Sequence, residues 1–175
     1  MSRRTVTVNR APVLTLWASV VAERQGFQVD EALSLGKALA GLNAQAKGRR
    51  LGIYREKLDR YGKSAKKHGL GEEFWVEICG RPVPAKRTDE GVRAVAKDKP
   101  VAPDKVWSYL KRAFGDDLQT VRETMGELAG SYDPDELPES SYSLYEQFRP
   151  QIERGRKGWG QKGTLDLEEI RSLAK

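Results

Sequence analysis

Residues 9–54, NRAPVLTLWASVVAERQGFQVDEALSLGKALAGLNAQAKGRRLGIY, organise the chain. They read as two tightly packed helices that end in a basic, glycine-flanked turn. Asn9 is placed as an N-cap and Pro12 in the first turn, where proline's missing N–H costs little. Val13, Leu14, Leu16, Trp17, Ala18, Val20 and Val21 follow, and only Thr15, Ser19 and Glu23 form a polar line, at spacing four. So narrow a polar stripe predicts a helix buried on most sides. Gly26 is the natural stop.

The second helix opens at Asp30, whose carboxylate suits a free N–H of the first turn. Ala32, Leu35, Leu39, Leu42 and Ala46 form a core-facing seam, and Gly36, Ala40 and Ala44 a second line of small residues. Gly36 and Gly41 each cost about 1 kcal/mol against alanine inside a helix. Close approach to a neighbouring helix would offset that. Gly48 ends the helix. The turn Gly26-Phe27-Gln28-Val29 has the length of a helix-turn-helix. A recognition helix, however, offers polar side chains to base edges. This one starts with Asp30 and Glu31 and continues apolar or small, so it reads as a core helix, with any DNA contact left to the segment after it.

Working outward, residues 1–8 read as frayed or as one edge strand. Residues 53–67 read as a third helix with a cationic exterior. FWVEIC, residues 74–79, alternates apolar residues like a strand and turns at Gly80-Arg81 into residues 82–87, which two prolines confine to an edge. Thr88 is read as the cap of a short helix over 89–97, and 98–102 as a linker. Helices follow from Pro103 to Gly115, from Asp116 or Asp117, from Ser140 or Ser141, and from Thr164, with Pro150 kinking or ending the third of these. The expected fold is therefore mainly α, a compact multi-helix domain of about six to eight helices with one small β-hairpin near residues 74–87. Its expected organisation is a basic helical lobe with the hairpin (1–97) and a helical lobe (98–175), packed into one domain.

The 175 residues suffice for a core without staples, and Cys79, the single cysteine, excludes an intramolecular disulfide. With no signal-peptide pattern this points to the cytoplasm, and no apolar run reaches the ~20 residues of a membrane helix. The net charge of +6 is uneven: residues 1–70 hold 14 Lys/Arg against 5 Asp/Glu, whereas residues 71–175 hold 17 against 20. Such lopsidedness speaks to partners rather than to fold.

Catalytic constellations are hard to find. His68, the one histidine, reads as an exposed residue at the end of a lysine-rich helix, and Cys79 as a small buried hydrophobe. One Cys and one His cannot make the usual zinc site. No Walker loop occurs. The adjacent carboxylates Glu72/Glu73, Asp116/Asp117 and Glu168/Glu169 are explained by capping and solubility. The acidic loop with Asp133, Asp135, Glu136 and Glu139 lacks calcium-loop spacing. The expectation is no catalytic residues, no metal and no cofactor.

The stronger signal is a pair of basic, glycine-bearing segments far apart in sequence: Lys47-Gly48-Arg49-Arg50-Leu51-Gly52, and Arg154-Gly155-Arg156-Lys157-Gly158-Trp159-Gly160-Gln161-Lys162-Gly163. Glycine lets backbone N–H groups approach a phosphate. Arginine's fork fits phosphate oxygens, and a tryptophan ring stacks on a base. Lys47, Arg49, Arg50, Arg154, Arg156, Lys157 and Lys162 are the expected phosphate contacts, with Trp159 stacking. The leading reading is a nucleic-acid-binding protein with weak sequence preference, for DNA or RNA. Two alternatives stand beside it. One is a helical scaffold for a protein partner or homo-oligomer, using the Gly36 line or the acidic loop. The other is an enzyme acting on an anionic substrate.

Overall fold

The structure, a computed structural model, describes residues 4–45, 59–152 and 162–175. In chain order the elements are β1 (Thr5–Asn9), α1 (Arg10–Arg24), α2 (Val29–Gln45), α3 (Gly62–Ala65), β2 (Glu73–Ile78), β3 (Arg81–Thr88), β4 (Gly91–Ala96), β5 (Lys99–Pro100), α4 (Pro103–Phe114), α5 (Leu118–Gly130), α6 (Leu137–Phe148), β6 (Lys162–Asp166) and α7 (Leu167–Ser172). Among the described residues six strands make two antiparallel sheets, a β1–β6 pair and a four-stranded sheet in the order β2-β3-β4-β5. The fold is thus mixed α/β, not the mainly α bundle with a single hairpin that the apolar patterning predicts.

α1 is the central rod. Every residue from Pro12 to Ala22 is buried, and α2, α4, α5 and α6 pack around it. Its polar line is neutralised internally: Thr15 Oγ1 donates to Ala11 O (2.9 Å) and Ser19 Oγ to Thr15 O (2.8 Å). Trp17 donates its indole N–H to Ser141 O at 2.9 Å and meets Phe148 edge-on at 5.3 Å. A buried ring of this size needs such a partner for its N–H.

α2 covers the inner face of the larger sheet, where Phe74, Val76, Ile78, Val83, Ala85, Val92 and Ala94 are buried. Its polar residues also hold the sheet. Ser34 Oγ accepts from Ala94 N (2.8 Å) and donates to Val101 O (2.8 Å). Glu31 accepts from Val92 N (2.8 Å) and from Gln28 N (2.9 Å). The second bond is half of a capping box, so Glu31 and not Asp30 caps this helix.

Several expected elements are replaced. Residues 89–97, expected as a helix, form β4, because Val92 and Ala94 both face the core at period two and Thr88 Oγ1 closes the preceding turn on Gly91 O (2.7 Å). Residues 98–102, expected as a linker, contain β5, which pairs with Val95 and Ala96. Pro82 and Pro84 sit in the half of β3 that pairs with β2 alone, and β4 joins only from Ala85 onward. Proline is therefore accommodated inside a four-stranded sheet. The expected third helix is reduced, among the described residues, to the single turn α3. Before it, Asp59 pairs with the edge of β2 through Asp59 N to Trp75 O (3.0 Å) and Glu77 N to Asp59 O (2.7 Å). Asn9 occupies the N-cap position of α1 but makes no capping bond. Thr164 lies inside β6, and Asp166 caps α7 by accepting from Glu168 N (3.0 Å). α6 starts at Leu137, ahead of the serines expected to cap it, and ends before Pro150.

The two glycines inside α2 differ in environment. A Cβ on Gly36 would lie 2.4 Å from Ser19 Oγ and 2.6 Å from Thr15 O, whereas a Cβ on Gly41 would meet nothing within 4 Å. Gly36→Ala should therefore lower stability by about 2 kcal/mol through overpacking. Gly41→Ala should raise it by roughly 0.5–1 kcal/mol through helix propensity. Urea denaturation of both variants checks the opposite signs. Gln25, buried at the end of α1, has no partner for either amide atom among the described residues. Gln25→Met should stabilise by about 1–2 kcal/mol, the cost of an unsatisfied buried polar group. A loss of stability would instead mean that a bound water holds the amide.

Candidate functional site

The first strand runs directly into α1, and β6 lies antiparallel beside it, so Asn9 stands opposite Lys162. α4 crosses next to this corner. Tyr109, Arg112 and Ala113, at spacing three and four, share one face of α4 and turn towards it. Together Val8, Asn9, Ala11, Pro12, Tyr109, Arg112, Ala113 and Lys162 enclose a recess of about 450 Å³. Its walls are apolar and its rim carries two cations.

The electrostatics of the corner are one-sided. The first turn of α1 contains no acidic residue and begins with Arg10. That places a cation at the positive end of the helix dipole, where an anion would be favoured. Arg10 donates Nε–H to Pro150 O at 3.1 Å, and its pKa is lowered by burial and then by the neighbouring Arg149 guanidinium. The Lys37 ammonium lies 4.4 Å from the centroid of the Tyr109 ring, and burial lowers its pKa. Tyr109 is pushed up by burial, with the Thr15 hydroxyl opposing. Among the described residues no carboxylate forms an ion pair with Arg10, Lys37, Arg112, Arg149 or Lys162. The Asn9 amide likewise has no hydrogen-bond partner among them, and its Oδ1 is buried.

Of the residues expected to contact phosphate, Lys162 is described and lies on this rim. Lys47, Arg49, Arg50, Arg154, Arg156, Lys157 and Trp159 lie outside the described residues. Their points of attachment are informative all the same. α1 and α2 run antiparallel, with Gly36 against Thr15 and Ser19, so the last residue of α2, Gln45, lies at the same end of the pair as Asn9 and its partner Lys162. The first basic segment follows Gln45 and rejoins the described fold at Asp59; the second follows Ile152 and rejoins it at Lys162. Asn9, Tyr109 and Arg112 are absent from the sequence-based set. The 3,4 spacing on α4 marks a shared face, but its pairing with β1 and β6 is non-local.

Other expected features are used within the chain. Gly36 and Ala40 are buried, so that part of the small-residue line packs on α1 and offers no outer surface. In the acidic loop Asp135 accepts from Tyr61 OH (2.6 Å), Asp133 accepts from Asp135 N (2.9 Å) and Glu136 holds the Lys175 ammonium. Cys79 is buried and its thiol is pushed up to about 12, which removes it as a thiolate nucleophile. Among the described residues no group of three His, Cys, Asp or Glu side chains is placed to hold a metal ion. Nor is any described helix long and apolar enough to cross a membrane. A second recess, about 510 Å³, lies at the start of α2, where Asp30, Glu31, Asp89 and Glu90 face Lys66 and Arg87. Its carboxylates outnumber its cations, so it offers nothing to an anion.

His68 departs from the expected free surface residue. Its ring stacks on Phe74 with centroids 3.9 Å apart, Nε2 donates to Asp59 Oδ2 at 2.5 Å, and Nδ1 donates to Glu72. Two acceptors on two ring nitrogens require the imidazolium. Arg87 fixes the same loop by donating to Lys66 O (2.5 Å) and His68 O (2.7 Å). Both ring nitrogens are occupied by carboxylates, so the ring serves as a clamp rather than as a base.

No protein-family model, curated protein or solved structure matches the chain.

Burial of His68 disfavours its charge, but the bonds to Asp59 and Glu72 outweigh this and raise its pKa above 6.5. A raised folded-state pKa stabilises fully below the unfolded value and ceases to do so as pH climbs through the folded value. The stability difference between the native chain and His68→Gln should therefore be constant below pH 6.5 and shrink at higher pH. Urea midpoints measured across pH 5–10 check the direction. A difference that grows with pH would overturn the clamp.

Proposed function

We propose that the protein binds nucleic acid by its phosphates, with weak sequence preference, at the end of the molecule where Asn9, Arg112 and Lys162 meet. The observation that carries this reading is a rim of cations without carboxylate partners among the described residues, set at the positive end of α1. Cations gathered without counter-ions repel one another, and an anion relieves the repulsion. A helix N-terminus adds to the attraction. Of the two basic glycine-bearing segments, the first leaves the described fold at Gln45 and the second returns to it at Lys162, both at this end. Lys47, Arg49, Arg50, Arg154, Arg156 and Lys157 are proposed to extend the phosphate contacts, and Trp159 to stack on a base. The excess of 14 Lys/Arg over 5 Asp/Glu in residues 1–70 supports an anionic partner of extended form.

Fluorescence anisotropy with random-sequence duplex and single strands at two salt concentrations tests the reading. Affinity should fall with salt at a log–log slope of about −0.9 per phosphate neutralised on duplex DNA and about −0.7 on single strands. Arg112→Gln and Lys162→Gln should each weaken binding on every sequence alike and reduce the slope by about one. No binding to either form at low salt would end the proposal.

A further inference from the structure

The recess differs from a simple cationic surface. Phosphate needs only the rim, yet behind the rim lie the apolar side chains of Val8, Ala11, Pro12 and Ala113 and the ring of Tyr109. A volume near 450 Å³ falls in the range of about 300–1,000 Å³ typical of small-molecule sites. It is too small for a helix or strand of a protein partner, and of a size for one nucleotide. Asn9 lines this space, and its Oδ1 is buried without a hydrogen-bond partner among the described residues. One donor and one acceptor in a plane are what a nucleobase edge pairs with.

We propose that the recess receives one unstacked base of a single strand, with the adjoining phosphate on Arg112 and Lys162 and the base edge on the Asn9 amide. This rests on the nucleic-acid reading above and narrows it to single strands. A base inside a duplex is paired and stacked, so a duplex reaches the rim and leaves the recess empty. Single-stranded segments splay bases out and seat them on apolar and aromatic side chains. Amide and ring together tolerate several bases, which agrees with weak sequence preference.

The test uses the full chain and three labelled probes of equal length at one low salt concentration: a natural single strand, an abasic single strand with the same phosphates, and a duplex. The natural strand should bind about tenfold or more tightly than the abasic strand. Ala113→Leu fills the recess without touching a charge, and Asn9→Leu removes the amide. Each should shrink the natural-to-abasic ratio to under twofold. Circular dichroism and urea midpoints confirm that each variant is folded. The natural-to-abasic comparison needs no variant and stands if both fail to fold. Equal affinity for natural and abasic strands would overturn the base pocket and leave the phosphate reading intact. No binding to any of the three probes would overturn both.

Discussion

The fold turns on how closely α1 and α2 approach each other. With hydrogen as its side chain, Gly36 lets the α2 backbone lie directly against Thr15 O and Ser19. The hydroxyls of Thr15 and Ser19 return their hydrogen bonds to α1 itself, so a polar line can be buried without an orphaned donor. From that contact outward, α1 faces the helices of the second half and α2 faces the larger sheet. The two helices thereby separate the two kinds of layer and join them through one seam. The residues that finish each layer then have fixed positions: Trp17 under Ser141 on one side, Ser34 between Ala94 and Val101 on the other.

The same seam fixes the polarity of the molecule. An antiparallel helix pair has one end where α1 begins and α2 finishes. The positive pole of α1 lies there, and Arg10, Arg149, Lys37, Arg112 and Lys162 gather around it. At the opposite end, around the α1–α2 turn and the His68 loop, Glu77 pairs with Arg60, and Asp59 and Glu72 with His68. Under the proposed function, an anionic chain would approach from the end where Arg112 and Lys162 lie.

Much of this was legible in the residues. The buried rod of α1 followed from its three-residue polar line, and the β2–β3 hairpin from strict alternation in FWVEIC. The close approach at Gly36 was anticipated from its position in a second line of small residues, but Gly41 looked equivalent and is not. What was lost is non-local. GVRAVA in β4 has no residue that forbids a helix, and it becomes a strand because β3 and the Glu31 and Ser34 side chains of α2 take its backbone groups. KGTLD in β6 reads as the end of a loop and the cap of a last helix until β1 supplies its ladder. Lys162 stood out because it belongs to a glycine-rich basic run. Asn9 had an ordinary local explanation as a cap, Tyr109 and Arg112 drew no notice, and only the meeting of three distant elements puts them on one recess. His68 looked solvated for the same reason: Asp59 and Phe74 are brought to it by the sheet edge.

The β1–β6 ladder has a consequence for how the chain is made. Thr5 pairs with Asp166, so the partners lie almost the whole chain apart. A nascent chain emerging from the ribosome exposes Val6 and Val8 long before Gly163 and Leu165 exist to cover them. Until residues 162–166 have been made, β1 is an open strand edge with an apolar face, the kind of segment that chaperones shield and that mispairs between chains. Closure of this ladder waits for β6. It is also the step that brings Lys162 to Asn9, so the cationic corner cannot assemble on any truncated product.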